Sequence, residues 1–120
     1  MQLRNFGDLQ YGLDMKIGGQ PVIGLWDTGS FELLVFGQDC AGCGAAGAYD
    51  PLRSPGFAQG KRRAAQDFGS GSCTAVDGRE NVTVQGRTAS GQALWLAEDC
   101  RMPALSAAAF GAVVGAGPPA

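Results

Sequence analysis

The sequence of 120 residues contains no histidine. Its absence excludes a Ser–His or Cys–His nucleophile pair within the chain and removes the commonest zinc ligand. Charge is also scarce, and the formal net charge of −2 gives no reason to expect nucleic acid or an acidic membrane surface as a partner. No stretch approaches the roughly 20 apolar residues of a membrane-spanning helix. The N-terminal residues lack the apolar region of a signal peptide.

The chain also lacks any segment with the periodicity of an amphipathic helix, which favours an all-β fold. Hydrophobic residues make up 45%, enough for a folded chain, and the length suits one domain with a modest core. The 20 glycines indicate many turns and short strands, because glycine adopts backbone angles that other residues avoid. We therefore expect a single all-β domain over residues 1–120.

The first half of the chain predicts a hairpin. Residues 9–17 alternate weakly and predict a first strand, and residues 22–27 are mostly apolar and predict a second. Between them, Gly18-Gly19-Gln20-Pro21 has the composition of a turn. A further apolar run covers residues 31–36.

The second half predicts two more turns. Residues 69–72, with the sequence Gly-Ser-Gly-Ser, predict the tip of a hairpin. Residues 82–84 and 93–96 are strand candidates on either side of a turn predicted at Ser90-Gly91. Residues 106–112 predict one short helix.

Candidate chemistry is concentrated at Asp27-Thr28-Gly29-Ser30, between two apolar segments. Burial there and a neighbouring carboxylate would raise the pKa of one carboxyl group. A pair of carboxyls sharing a proton can deprotonate water and protonate a carbonyl. The hydroxyls of Thr28 and Ser30 are suited to hold the carboxylate, and Gly29 permits close approach of the backbone. Taken alone, the tetrapeptide is equally compatible with an aspartate that caps a helix or forms an Asx-turn.

The four cysteines allow several interpretations. Cys40 and Cys43 match the spacing of a redox pair, of half a zinc site or of a short disulfide. A redox pair prefers a β-α-β unit, which the sequence lacks, and the spacing of Cys73 and Cys100 does not fit the usual zinc pattern. A structural Cys40–Cys43 disulfide is therefore favoured, and the even cysteine count suits an oxidising compartment. We expect Cys73 and Cys100 to form a second disulfide, the alternative being two buried thiols.

Four segments, in this order along the chain, resemble the pepsin-like aspartic protease family. They are the segment around Asp27-Thr28-Gly29-Ser30, the Cys40–Cys43 loop with the following Tyr49-Asp50-Pro51-Leu52-Arg53-Ser54, the flap-like Asp67-Phe68-Gly69-Ser70-Gly71-Ser72, and Phe110-Gly111-Ala112-Val113-Val114-Gly115-Ala116-Gly117. The resemblance implies a single pepsin-like lobe, β-barrel-like, with at most one or two short helices.

The resemblance also implies the roles of particular residues. Asp27 would be the general acid and base of an endopeptidase, supported by Thr28, Gly29 and Ser30. The flap over the substrate would consist of Phe68, Gly69 and Ser70. Residues 110–117 would buttress the aspartate loop. The small loop would be closed by Cys40–Cys43, and neither cofactor nor metal is implied.

Several positions depart from the family pattern. Phe68 stands where the flap usually has tyrosine, so the hydroxyl is missing although the ring is kept. Leu34 stands where tryptophan is typical. In the buttress, Gly111 replaces the usual aspartate and Ala112 the usual glycine.

Only one Asp-Thr-Gly motif is present, so the sequence predicts half of an active site. We expect the N-terminal lobe of a protease that acts on proteins or peptides once a second aspartate lobe is supplied, by a longer chain or by a second copy. One alternative is a retropepsin-like homodimer, against which Pro118-Pro119-Ala120 argues because it offers no strand to pair. Another is a silent binding module. The expected location is the secretory pathway, a vacuole or lysosome, or the extracellular space.

Overall fold

A computed structural model describes residues 3–5, 11–27, 33–68, 71–101 and 110–115. Within these ranges eight strands occur, which confirms the all-β prediction. They are β1 (Leu3–Asn5), β2 (Tyr11–Ile17), β3 (Gln20–Asp27), β4 (Leu33–Ala41), β5 (Ala58–Phe68), β6 (Gly71–Val84), β7 (Arg87–Arg101) and β8 (Ala112–Gly115). Two 3-10 helices, Gly44–Ala46 and Pro51–Arg53, are the helical elements of the described chain. None of its helices has the length and apolar character required to cross a bilayer.

Six of the strands close into a barrel. Hydrogen-bonded neighbours run in the order β1-β2-β3-β8-β4-β7-β6-β5, and an additional pairing of β2 with β6 joins the two sides. The ring is thus β2-β3-β8-β4-β7-β6, with β1 and β5 attached outside it. Closure pairs the edges that an open sheet would leave exposed, and Ile17, fully buried, lies at the closing pair opposite Val82.

The β2–β3 hairpin is present where the sequence predicts it. Ile17 pairs with Gln20, and the two intervening glycines, Gly18 and Gly19, have φ values of 57° and 79°. A two-residue turn with positive φ at both positions matches the right-handed twist of the flanking strands, and glycine takes those angles without strain.

The turn predicted at Ser90-Gly91 is wrong. Both residues lie inside β7, and β6 and β7 are instead joined at Gln85-Gly86, where φ is 53° and 75°. A Gln-Gly pair is a weaker turn signal than Ser-Gly, since glutamine seldom adopts positive φ. The pairing register along the two long strands β6 and β7 determines the position of the turn.

The predicted helix over residues 106–112 is tested only in its last part. Residues 106–109 lie outside the described residues, whereas Ala112 begins β8 rather than ending a helix. Its side chain is fully buried. Pairing on both sides of β8 satisfies its backbone groups, which a strand between two neighbours achieves and an isolated helical turn would not.

The core consists of two clusters of buried side chains. One contains Ile17, Val35 and Tyr49, and the other contains Phe36 together with three of the cysteines. β4 contributes to both, because four successive residues, 34–37, are buried. Burial of successive residues is typical of a strand covered on both faces.

Candidate active site

Asp27 is the last residue of β3, and its backbone pairs in parallel with Gly115, the last residue of β8. β8 lies between β3 and β4, parallel to the first and antiparallel to the second. β8 therefore lies between the strand that ends at Asp27 and the strand that begins at Leu33, the two strands that flank the Asp-Thr-Gly-Ser segment. The Asp27 side chain lies outside the described residues, as do Thr28, Gly29 and Ser30.

The start of β8 is joined to both flanking strands through one glycine. The Gly111 N–H donates to the Ile23 carbonyl at 2.7 Å, and its carbonyl accepts from the Phe36 N–H at 3.1 Å. A Cβ atom at this position would approach Val22 Cγ1 to 3.0 Å and the Ala46 carbonyl oxygen to 3.3 Å. The packing has thus closed around glycine at the position where the resembled family has aspartate.

Leu34, where the family typically has tryptophan, is buried and pairs with Val113. It belongs to the same cluster as Phe36, whose ring lies 6.1 Å from that of Phe110. The smaller side chain is accommodated by aliphatic and aromatic neighbours, so the strands beside Asp27 remain covered.

The hairpin predicted around residues 69–72 is formed by β5 and β6. Its register runs to Phe68 opposite Gly71, which leaves a two-residue connection. The Phe68 side chain, Gly69 and Ser70 lie outside the described residues, so the flap assignment stays a prediction. Among the described strands no pairing links β5 to β3, and the register does not bring Phe68 and Asp27 together.

A buried carboxylate that sequence reasoning missed holds the loop after β4 to the barrel. Glu80, in β6, is 0% exposed. Its Oε2 accepts hydrogen bonds from the Tyr49 hydroxyl at 2.5 Å and the Ser54 hydroxyl at 2.6 Å. Its Oε1 accepts from the Asn81 N–H at 2.8 Å. Gly18 packs against the same carboxylate, where a Cβ atom would meet Glu80 Oε2 at 2.6 Å.

Burial, and next the hydrogen bond to Glu80, raise the pKa of Tyr49 well above its ordinary value. The tyrosine therefore stays protonated and acts as a donor over the whole acidic and neutral range. Tyr49 and Ser54 are the outer residues of the Tyr-Asp-Pro-x-x-Ser segment noted in the sequence, and their shared acceptor explains why both are hydroxyl-bearing. In the sequence, Glu80 is a charged residue with no feature that distinguishes it from a residue on the surface.

Both expected disulfides are present, Cys40–Cys43 and Cys73–Cys100. The first closes the loop at the end of β4, and the second links β6 to β7 at directly paired positions. The sulfur atoms of Cys40, Cys43 and Cys100 lie within 4.8 Å of one another, the one group of three or more potential metal-ligating residues among those described.

A depression of about 820 Å³ opens beside the end of β8. Leu33 in β4 and Val114 and Gly115 in β8 line it, together with Met15 in β2 and Val84 in β6. Gln85, Arg87 and Gln92 also line the depression, so both apolar and polar side chains face it.

The closed six-stranded barrel, with β8 inserted between the strands on either side of Asp-Thr-Gly-Ser, defines an all-β lobe of the aspartic protease class. The chain belongs to the eukaryotic aspartyl protease family, whose model matches residues 10–120. It is 31% identical to cathepsin E of Mus musculus over 94 residues, which cover 75% of this chain. The same alignment covers 24% of cathepsin E, so the chain spans about a quarter of that relative's length.

Proposed function

We propose that the chain is the N-terminal lobe of an aspartic endopeptidase and supplies one of its two catalytic carboxylates. Asp27 is the proposed general acid and base. It would activate a water molecule for attack on a peptide carbonyl without forming a covalent intermediate. The observation that carries the proposal is the pairing of Asp27 with Gly115, because it fixes the backbone of the aspartate against a strand that is itself held on both sides.

Thr28, Gly29 and Ser30 would hold the Asp27 carboxylate in the proposed site. Phe68, Gly69 and Ser70 would close over the substrate, with the aromatic ring of Phe68 excluding water and contributing no hydroxyl. The depression lined by Leu33 and Val114 would receive an apolar side chain of the polypeptide.

One carboxylate does not suffice for this chemistry. The reaction requires a group that takes a proton from water and another that gives one to the carbonyl, and two close carboxyls divide these roles by sharing a proton. The second carboxylate would come from a second aspartic protease lobe, in the same longer chain or in a second copy of this one. Proteins or peptides are the proposed substrates. The secretory pathway, a lysosome or vacuole, or the extracellular space is the proposed location, consistent with two disulfides.

Binding of a statine-containing transition-state inhibitor separates the candidate functions. The measurement compares this chain alone, this chain at high concentration, and the full product of its gene. We expect tight binding only by the full product, lost in Asp27→Asn. Tight binding by this chain alone would instead favour a homodimer. Absence of binding in every case would favour a binding module. The altered residues Phe68 and Gly111 are consistent with that interpretation.

A further inference from the structure

Asn81 lies in a three-residue motif that the proposed function does not use. Asn81-Val82-Thr83 matches the Asn-x-Ser/Thr pattern at which N-linked glycans are attached to proteins of the secretory pathway. The motif lies within β6, where Asn81 is exposed and its neighbours Glu80 and Val82 are buried. Because side chains alternate between the two faces of a strand, this pattern directs the Asn81 side chain away from the core.

A bulge between β6 and β7 fixes the orientation of the Asn81 amide. The pairing register shifts between Glu80 and Val82, beside Gly91, whose φ of 62° is positive. A bulge leaves backbone groups without their partners in the sheet. The Gly91 N–H donates instead to Asn81 Oδ1 at 3.2 Å. Since an N–H requires an acceptor, the carbonyl oxygen of the side chain faces β7, and Nδ2 donates no hydrogen bond within the part of the chain that the structure describes.

The surroundings of Asn81 leave room for a sugar and lie far from Asp27. A Cβ atom at Gly56 would come within 3.3 Å of Asn81 Nδ2, so the absence of a side chain there keeps the nitrogen uncrowded. The Asn81 carbonyl accepts a hydrogen bond at 2.8 Å from the Gly18 N–H, in the β2–β3 turn. From this turn, β3 runs for eight residues to Asp27, a distance of roughly 20 Å at about 3.3 Å per residue. A glycan on Asn81 would therefore leave the proposed catalytic end of the barrel uncovered.

We propose that Asn81 carries an N-linked glycan, an inference that rests on the proposed secretory location. Asn81 Nδ2 forms a bond to C1 of the first sugar of a lipid-linked oligosaccharide and releases one proton. The bond from C1 to the lipid diphosphate breaks, and the diphosphate leaves with the electron pair. Thr83 supplies the hydroxyl that the motif requires. In the folded chain this hydroxyl lies 2.8 Å from that of Thr88, on the paired strand β7. Transfer therefore precedes the pairing of β6 with β7, while the chain enters the compartment.

The test expresses the full product of the gene in secreting eukaryotic cells and analyses its tryptic peptides by mass spectrometry. We expect the peptide that follows Arg79 to carry the glycan, and N-glycosidase treatment to leave aspartate in place of Asn81. Thr83→Ala should lose the glycan. Thr88→Ala is the matched control, because it removes the same contact between the two threonine hydroxyls but leaves the motif intact, and it should keep the glycan.

The state of the cysteines separates failure of this inference from failure of the proposed location. An unmodified Asn81 in secreted protein with both disulfides formed would overturn the glycan and leave the proposed function standing. A product with free thiols, retained outside the secretory pathway, would overturn the glycan together with the location. A glycan that persists in Thr83→Ala, or one that is lost in Thr88→Ala, would also contradict attachment through this motif.

Discussion

Removal of the Tyr49 hydroxyl tests the buried Glu80 network most sharply. Tyr49→Phe keeps the ring, which is fully buried and lies 6.1 Å from the ring of Phe57. The substitution deletes the 2.5 Å hydrogen bond to Glu80 and leaves the carboxylate with two donors, Ser54 and the Asn81 N–H. Hydrogen bonds to charged groups contribute about 1.5–3 kcal/mol. We therefore expect Tyr49→Phe to lower the free energy of unfolding by about 2 kcal/mol.

The assay is urea unfolding at neutral pH. With a slope of about 2 kcal/mol per molar urea, this loss moves the unfolding midpoint down by about 1 M. Ser54→Ala removes the second hydroxyl donor and should also lower the free energy of unfolding. Ser90→Ala, at an exposed position, is its control. A double-mutant cycle of Tyr49→Phe with Glu80→Gln should give a coupling of at least about 0.5 kcal/mol, because the two residues act through one contact.

Alkaline titration adds an independent readout. The pKa of Tyr49 is raised in the folded chain, so its contribution to stability is complete below the ordinary tyrosine pKa and is lost as the pH rises above it. Tyr49→Phe should flatten this alkaline decline. A Tyr49→Phe chain within about 0.5 kcal/mol of the parent, with an unchanged alkaline profile, would refute the idea that Glu80 depends on this hydroxyl.

Three further substitutions have defined outcomes. Gly42→Ala should destabilise the chain more than Gly19→Ala in thermal unfolding, because both glycines have a φ of 79° but only Gly42 lies against a neighbouring strand. Equal losses would contradict that close approach. Hydrogen bonds from the Arg62 backbone and side chain lower the pKa of Asp77, so its stabilisation is present at neutral pH and lost as the pH falls through that lowered pKa. Asp77→Asn should therefore lower the midpoint of thermal unfolding at neutral pH and leave the midpoint at strongly acidic pH unchanged. The same difference between variant and parent at all pH values would count against this. In an active form, Phe68→Tyr should alter turnover or its pH profile with little change in stability, and an unaffected Phe68→Ala would show the flap assignment to be wrong.

Local sequence patterns predicted those parts of the fold that local physics determines. Gly18-Gly19 specifies its hairpin because few other residues accept positive φ twice in succession. The all-β class followed from the absence of any segment whose apolar residues have the periodicity of an amphipathic helix. By contrast, the turn at Gln85-Gly86 depends on the register of two long strands, and Ser90-Gly91 carries the stronger local signal at a place where the strand continues.

The long-range features of the site were less accessible. Glu80 lies 31 residues from Tyr49, and its sequence neighbours Arg79 and Asn81 are exposed, so nothing nearby marks it as buried. The family resemblance predicted that the segment around Val113 and Val114 buttresses the aspartate loop, but the insertion of β8 between β3 and β4 depends on long-range strand pairing that the sequence analysis did not predict. The contact between Cys40 and Cys100 depends on the packing of the loop around Gly42 against β7, which no spacing along the chain predicts.

The dependence of peptide cleavage on protein concentration tests whether Asp27 supplies half of a two-carboxylate site. The rate of cleavage of a quenched peptide is measured from acidic to neutral pH over a wide range of chain concentrations, with Asp27→Asn as the control. We expect no cleavage by the monomer, and a rate that rises with the square of concentration if two copies can combine. A rate strictly proportional to the concentration of verified monomer, and abolished by Asp27→Asn, would contradict it.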